Sequence, residues 1–248
     1  MKITVMTTAE ETLPGYSDDL SANKTALDFA AQCAIQEGIK VALLGGLQRN
    51  TGTGRGVDML NSFGIEHSHL HIIPAAADIR KSGTNSAVEK PRLTFMDRRY
   101  LYRSDCIVLS YFNPQCKAII KNKHRGLRPV VDFCDTTAYL EILNFIPLCT
   151  MAFLAGTEDA IWFFEDYSSY LGVPIVILTE SRRISILYKG QKYRVRPTTA
   201  ESGADTVINW TSFRAAFLCE WLKSKDIRKA MRQAAGAGFL TFTRAEMV

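Results

Sequence analysis

The sequence predicts an α/β fold, in which a mostly parallel central sheet carries helices on both faces. Strand-like apolar runs alternate with amphipathic helical segments along most of the chain, an order typical of parallel sheets. The chain has 248 residues, of which 47% are hydrophobic, and this suits one large domain with a sizeable core. We therefore expect a sheet of about six to nine strands in a single domain that spans residues 1–248.

The predicted strands are short apolar runs bounded by polar or glycine-rich segments. In chain order they cover residues 3–6, 40–44, the segment that follows Gly64, and then residues 105–110, 129–135, 149–154, 174–179 and 186–188. Helical spacing of apolar residues predicts helices over residues 25–37, 57–63, 139–146, 161–171, 213–222 and 227–238. Small residues such as Ala230 and Gly238 should let the last helix pack closely.

Three other local patterns have structural or functional interpretations. The Gly-x-Gly-x-Gly run from Gly52 to Gly56 lacks the lysine of a P-loop, so a flexible loop is expected. His67, His69 and His71 alternate, so on a strand their side chains would share one face, where three imidazoles can bind zinc. Basic segments supply a candidate surface for an anionic partner such as nucleic acid, formed by Arg98, Arg99, Arg103, Lys121, Lys123 and Arg125.

The composition limits which cellular compartment and which class of partner are expected. No apolar run is long enough to span a membrane, and the N-terminus lacks a signal-peptide pattern, so we expect a cytoplasmic protein. The six cysteines have no close pair and no metal-ligand spacing, which predicts buried thiols. The net charge of +5 is mild and is compatible with an anionic ligand or partner.

The C-terminal stretch resembles the signature of the PfkB family of ribokinase-like sugar kinases. That signature reads Asp-Thr-Thr-Gly-Ala-Gly-Asp-Ser-Phe, and its flanks match Asp205-Thr206 and Ser212-Phe213 of this chain. The segment from Gly64 to Leu70 is also similar to a Gly-Val-Asp-x-Ser-His-Val segment of the family, which accounts for His69. The resemblance implies a ribokinase-like three-layer sandwich, with its lid reduced or absent because the segments before residue 25 and over residues 75–92 are short.

The resemblance also implies a catalytic site that this chain has altered. In the family, glycines at a helix N-terminus let backbone N–H groups approach phosphate, and an aspartate is the general base. Here Ile208-Asn209-Trp210-Thr211 replaces Gly-Ala-Gly-Asp, so Thr211 takes the position of the base. Asp205 is the nearest carboxylate in sequence and the alternative base if the protein is active.

Further positions follow from the family's other motifs. Thr179, Ser181 and Asn209 would contact nucleotide, although Glu180 and Ile184 replace the glycines of the nucleotide loop. The positions for magnesium, if ATP binds, are Asp159 and the adjacent Glu158.

Two aspartates match the family's substrate-binding positions. Asp132 lies at the carboxyl end of a predicted strand, where carboxylates commonly face a ligand. Asp28 or Phe29 corresponds to the family's sugar-binding asparagine, and Asp28 has an alternative role as a favourable charge near a helix N-terminus. Further upstream, Glu10 or Glu11 can replace a substrate-binding aspartate, or belong to a solvated loop.

Two hypotheses for function follow from the resemblance. The first is a degenerate ribokinase-like protein, a pseudokinase that binds a small molecule or protein and has a regulatory or assembly role. The second is an active kinase that uses Mg²⁺ and ATP to phosphorylate a hydroxyl of a sugar or nucleoside. Function must be argued from the site, because one fold can host many activities.

Overall fold

The computed structural model describes residues 1–7, 22–48, 53–73, 93–111, 113, 115–121, 126–134, 136–179, 183–195 and 205–242. The chain divides into two compact units, the first with residues 1–109 and 123–127 and the second with residues 110–122 and 128–248. The single domain expected from the sequence stays a prediction.

The first unit is built on parallel strands in the order β3-β2-β1-β4. These are β1 (Lys2–Thr7), β2 (Lys40–Gln48), β3 (Glu66–Ile73) and β4 (Cys106–Ser110). Residues of β1 and β4 are buried on both faces, as expected for strands of a parallel sheet covered by helices. The helices of this unit are α1 (Ala22–Ala34), α2 (Thr53–Ser62) and α3 (Phe95–Leu101).

Two helix boundaries in this unit differ from the prediction. Helix α1 starts and ends three residues earlier than predicted, because two tight turns, from Gln36 N–H to Cys33 O and from Ile39 N–H to Gln36 O, close its end. The expected flexible loop at residues 52–56 is wrong from Thr53 onward, where α2 already begins. Leu60 of α2 is fully buried, and such tertiary burial outweighs the helix cost of two glycines.

Strand β2 runs through Gly45 and extends beyond the predicted end at residue 44. Gly45 has a φ of +124°, and a Cβ atom there would lie 2.4 Å from the Thr7 carbonyl oxygen. Because β1 and β2 approach this closely, only glycine fits the position. Thr7 also donates its hydroxyl to the carbonyl oxygen of Gly46 over 2.8 Å.

The second unit has strands in the order β5-β6-β7-β8-β9, parallel except for the antiparallel β8. These are β5 (Arg128–Asp132), β6 (Met151–Gly156), β7 (Ile175–Thr179), β8 (Ile184–Tyr188) and β9 (Gln191–Val195). The helices that precede or connect them are α4 (Cys116–Lys121), α5 (Tyr139–Phe145), which continues into a 3₁₀ turn (Ile146–Leu148), and α6 (Glu158–Leu171).

The C-terminal part of this unit is a helical pair bracketed by a two-stranded antiparallel sheet. Strand β10 (Asp205–Ile208) leads into α7 (Trp210–Ser224) and α8 (Ile227–Gly238), and β11 (Phe239–Phe242) returns to pair with β10. A Cβ atom on Gly238 would lie 2.5 Å from the Cβ of Phe213. The predicted close packing of small residues is therefore confirmed at Gly238.

The α/β class and the mostly parallel arrangement are confirmed. Within the described residues, strands β1 to β7 alternate with helices as predicted, and β8 and β9 follow β7 without an intervening helix. Among the described residues, no helix is long and apolar enough to cross a bilayer. The cysteines are buried, except for the half-buried Cys134. A reduced lid was expected over residues 13–24 and 75–92, of which 13–21 and 75–92 lie outside the described residues, as do Glu10 and Glu11; residues 22–24 belong to α1.

Candidate functional site

The candidate site lies in the second unit, around the N-terminus of α7. Asn209 precedes the helix, and its side-chain Oδ1 accepts a hydrogen bond from the backbone N–H of Ser212 over 3.0 Å. This N-cap satisfies one of the N–H groups that a helix N-terminus otherwise presents to an anion. No acidic residue lies in the first turn of α7, where Thr211 is half-buried at the second helical position.

Helical spacing brings Trp210 and Arg214 together, because residues four apart lie on one face of a helix. The guanidinium carbon of Arg214 lies 5.3 Å from the centroid of the Trp210 ring and 5.9 Å from that of Phe153 on β6. Trp210 also stacks on Phe213, with centroids 5.9 Å apart and planes 15° apart. The cation therefore sits among aromatic rings that stabilise it partly by cation–π attraction.

Arg214 forms an ion pair with Asp132 at the carboxyl end of β5. The Arg214 side chain is 5% exposed and the Asp132 side chain 18% exposed, so both charges are largely withdrawn from water. The other carboxylate oxygen of Asp132 accepts a hydrogen bond from the Cys134 N–H over 3.0 Å. Asp132 lies where the sequence predicted it, but its carboxylate already has a buried internal partner.

The predicted metal and nucleotide positions lie on two other connections of this unit. Glu158 and Asp159 are exposed in the first turn of α6, which begins after Thr157. Thr179 ends β7 and is buried; its Oγ1 lies 3.3 Å from both the backbone O and the backbone N–H of Arg183. Among the described residues, no group of three or more histidine, cysteine or acidic side chains is placed to hold a metal ion. Ser181 lies outside the described residues.

Asp205, the alternative base, and Ile184, which replaces a glycine of the nucleotide loop, both lie on strands. Asp205 is the first residue of β10 and pairs in register with Phe242, four residues before the start of the α7 cap at Asn209. Ile184 begins β8 and is 1% exposed, so this replacement for a loop glycine is part of the core.

A tyrosine and a glutamate near the end of β4 were missed by the sequence interpretation. Tyr111 donates its hydroxyl to Glu141 of α5 over 2.5 Å, and this bond, with partial burial, raises the pKa of Tyr111 to about 12. Its ring packs against Phe133 and Phe145. Arg214 was missed too, although an arginine inside the apolar run of residues 213–218 is an unusual signal that a buried partner exists.

In the first unit, the histidine cluster of β3 is organised by a carboxylate. Asp97 of α3 accepts bonds from His69 Nδ1 at 2.8 Å and His71 Nε2 at 3.2 Å, while His67 Nδ1 lies 2.9 Å from the carbonyl oxygen of Ile65. Burial alone would raise the pKa of Asp97, but bonds from His69 and Thr94 outweigh it and lower that pKa to about 2. His67 thus has a backbone partner of its own, and no group among the described residues is placed as the zinc interpretation of three shared imidazoles requires.

The other predicted positions of the first unit are placed as follows. Asp28 is half-buried in the second turn of α1, rather than in the first turn as the family alignment implies, and Phe29 is buried. The exposed arginines Arg98 and Arg99 lie on α3, and Arg103 follows that helix. The remaining cations of the predicted anionic-partner surface belong to the second unit or lie outside the described residues, so that surface stays a prediction.

No protein-family model matches the sequence, and no curated protein matches it. Solved structures are similar in fold. A carbohydrate kinase from Agrobacterium tumefaciens superposes with a TM-score of 0.63 at 14% identity, covering 95% of this chain and 89% of that one. Ribokinase from Arabidopsis thaliana, solved with ribose and ATP, gives a TM-score of 0.61 at 14% identity over 95% of this chain and 90% of its own.

A nucleoside kinase from Methanocaldococcus jannaschii, described as an archaeal member of the ribokinase family, gives a TM-score of 0.57 at 16% identity. That match covers 94% of this chain and 89% of the archaeal one. At such identities the likeness concerns architecture, and nearly the whole chain takes part in it. The chain therefore has the fold of the ribokinase and PfkB carbohydrate and nucleoside kinases.

Proposed function

We propose that this chain is a degenerate ribokinase-like protein, which keeps the kinase fold, does not transfer phosphate, and acts as a binding, regulatory or assembly protein. The observation that carries the proposal is the first turn of α7. It has no carboxylate, and Asn209 caps it by accepting the Ser212 N–H. A phosphotransferase built on this helix needs both a base and open N–H groups at that turn.

The residues present do not fit a magnesium–ATP complex at this turn. Trp210 occupies a position where the family signature has glycine, and its ring is held by Phe213 and by the Arg214 guanidinium. The indole therefore has a packed position of its own rather than a loose one from which a phosphate displaces it. Glu180, which replaces a nucleotide-loop glycine in the sequence, adds a negative charge that repels phosphate.

The internal ion pair of Asp132 supports the same proposal. A substrate hydroxyl that binds Asp132 must compete with the Arg214 guanidinium, which is nearly inaccessible to water. Opening a buried pair leaves an uncompensated charge, and the cost of this is several kcal/mol, of the order of 3–5. A sugar site at this carboxylate is thus disfavoured in the native arrangement.

The test is a phosphotransfer assay with Mg²⁺ and ATP on a panel of sugars and nucleosides, read by product chromatography. We expect no product above a protein-free blank, and calorimetry should find weak or absent ATP binding. The competing hypothesis of an active kinase with Asp205 as base expects product that disappears in Asp205→Asn while the thermal melt is unchanged. That pattern, or micromolar affinity for ATP that Arg194→Ala leaves unchanged, would overturn the proposal.

A further inference from the structure

A groove in the second unit lies between α6 and the β8–β9 hairpin. It encloses about 400 Å³, within the range of small-molecule sites. Among the described residues, the polar and aromatic part of its lining consists of Glu158, Trp162, Arg183, Ser185, Lys192 and Arg194. Three of these side chains are cationic and one is a large aromatic ring, a combination that the function proposed above does not use.

The groove and the α7 site lie on opposite faces of the hairpin. In the antiparallel register, Ser185 pairs with Arg194, so their side chains share one face of the sheet. Lys192 lies on that same face and contacts α6 through Glu165. Tyr188 belongs to the other face, where its ring meets Trp221 of α7 at 5.2 Å. The groove is therefore separated by the sheet from the helix that carries the altered kinase signature.

The charge of the groove comes from two arginines. Lys192 is held by Glu165, with its Nζ 2.5 Å from a carboxylate oxygen. Arg183 and Arg194 are both exposed, and their guanidinium groups make no ion pair with any residue that the structure describes. Among the lining residues that the structure describes, Glu158 is the carboxylate, and their positive charge exceeds their negative charge. Arginine forks favour planar or tetrahedral oxyanions, above all phosphate.

The aromatic part of the groove is Trp162 of α6. This side chain is 70% exposed, although tryptophan is normally well buried. The Lys192 Nζ lies 5.4 Å from the ring centroid, and the indole lines the same groove as the two arginines. An exposed indole next to oxyanion-binding groups provides a stacking surface for a planar ring.

We propose that this groove binds a phosphorylated small molecule that carries a planar ring. Arg183 and Arg194 bind the phosphate, and the ring stacks on Trp162. Ser185, whose side chain shares the face of Arg194, lies on the floor of the groove as a further hydrogen-bonding group. The inference does not rest on the loss of phosphotransfer, because the side chains that bind the ligand, Arg183, Arg194 and Trp162, are not those of the α7 site. Glu158, a predicted magnesium position, also lines the groove.

The experiment measures binding by calorimetry with two probes, adenosine monophosphate and inorganic pyrophosphate. Adenosine monophosphate should bind the unmodified chain, and Arg194→Ala should weaken it about ten- to a hundred-fold, the value of one charged hydrogen-bonding anchor. Trp162→Ala should weaken the binding of adenosine monophosphate to a similar extent, since one stacked base contributes about 1–3 kcal/mol. The same variant should leave the affinity for pyrophosphate within about twofold of the unmodified chain. The affinity for pyrophosphate should depend on Arg183 and Arg194 and not on Trp162.

The matched control is Arg228→Ala, because Arg228 is an exposed arginine of α8 in the same unit and outside the groove. It should change neither affinity, and a thermal melt should verify that each variant is folded. Saturable binding of neither probe up to roughly 10 mM would overturn the proposal. So would an adenosine monophosphate affinity that Arg194→Ala leaves unchanged, or that Arg228→Ala lowers equally.

Discussion

Helix α7 has a body, residues 213–222, that packs in the core, and a first turn, residues 209–212, that carries the altered site. In the body, Phe213, Phe217 and Leu218 are fully buried, and Phe213 lies against Gly238 of α8. The first turn is half-buried for the most part and is closed by its own cap at Asn209. The body of the helix is therefore held by core packing, whereas residues of its first turn have partners of their own.

The residues that pack in the core and the residues that begin the helix are therefore separate sets within α7. The body must fit a close-packed interior, where a change of even one methylene group alters the packing and the stability. The first turn only has to begin a helix, and an asparagine cap does so without any glycine or carboxylate. Arg214 links the two regions, because it belongs to the body by position and to the site through Asp132.

The largest expected effect concerns the body. Phe213→Ala should lower the free energy of unfolding by about 3–5 kcal/mol, because it removes a fully buried ring and leaves a cavity beside Gly238. Urea denaturation at constant pH measures this change. Tyr170→Ala on α6, whose side chain is 86% exposed, is the control and should stay within about 0.5 kcal/mol. Equal losses in the two variants would contradict the assignment of the body to the core.

The next effect concerns the link between body and site. Arg214→Leu and Asp132→Asn should each cost about 3–5 kcal/mol, because each leaves one largely buried charge without its partner. The double variant should cost less than the sum, since no uncompensated charge remains. Denaturation of the four proteins in a double-mutant cycle gives the coupling. Strictly additive costs would mean that Arg214 and Asp132 do not depend on one another.

The body of α7 was predictable from the sequence, whereas the ion pair between Arg214 and Asp132 was not. Apolar residues at positions 213, 217, 218 and 222 have helical spacing, and that local signal is sufficient to predict a buried helix face. The partner of Arg214 lies 82 residues away in sequence, so no spacing rule can identify Asp132. Burial likewise outweighed glycine propensity at Thr53, where α2 starts inside an expected loop. Local patterns predict elements, whereas pairing across the fold decides what a site residue is free to do.

A smaller effect concerns the cap. Asn209→Ala should cost about 1 kcal/mol, because the Ser212 N–H loses its acceptor, whereas Asn209→Asp should retain stability since aspartate caps equally well. Thermal denaturation followed by circular dichroism measures both. If the alanine variant is as stable as the unmodified protein, the first turn does not depend on its cap. In that case its N–H groups are available to an anion, which would weaken the proposed loss of phosphotransfer.

The smallest expected effect is the restoration of the base alone. Thr211→Asp places a carboxylate in the first turn of α7, where the helix dipole should stabilise it by about 0.3–1 kcal/mol. Phosphotransfer should remain negligible, although a positioned base normally contributes roughly a hundred- to ten-thousand-fold in rate. The reason is that Ile208 and Trp210 still replace the glycines of the anion hole, whose loss costs roughly a further hundred-fold or more.

The triple variant Ile208→Gly, Trp210→Gly and Thr211→Asp should have the highest chance of activity. The same sugar and nucleoside panel with Mg²⁺ and ATP measures the unmodified protein, the single variant and the triple variant. If Thr211→Asp alone restores turnover, the first turn already accepts phosphate, and the contrast between the body and the first turn of α7 reduces to one side chain.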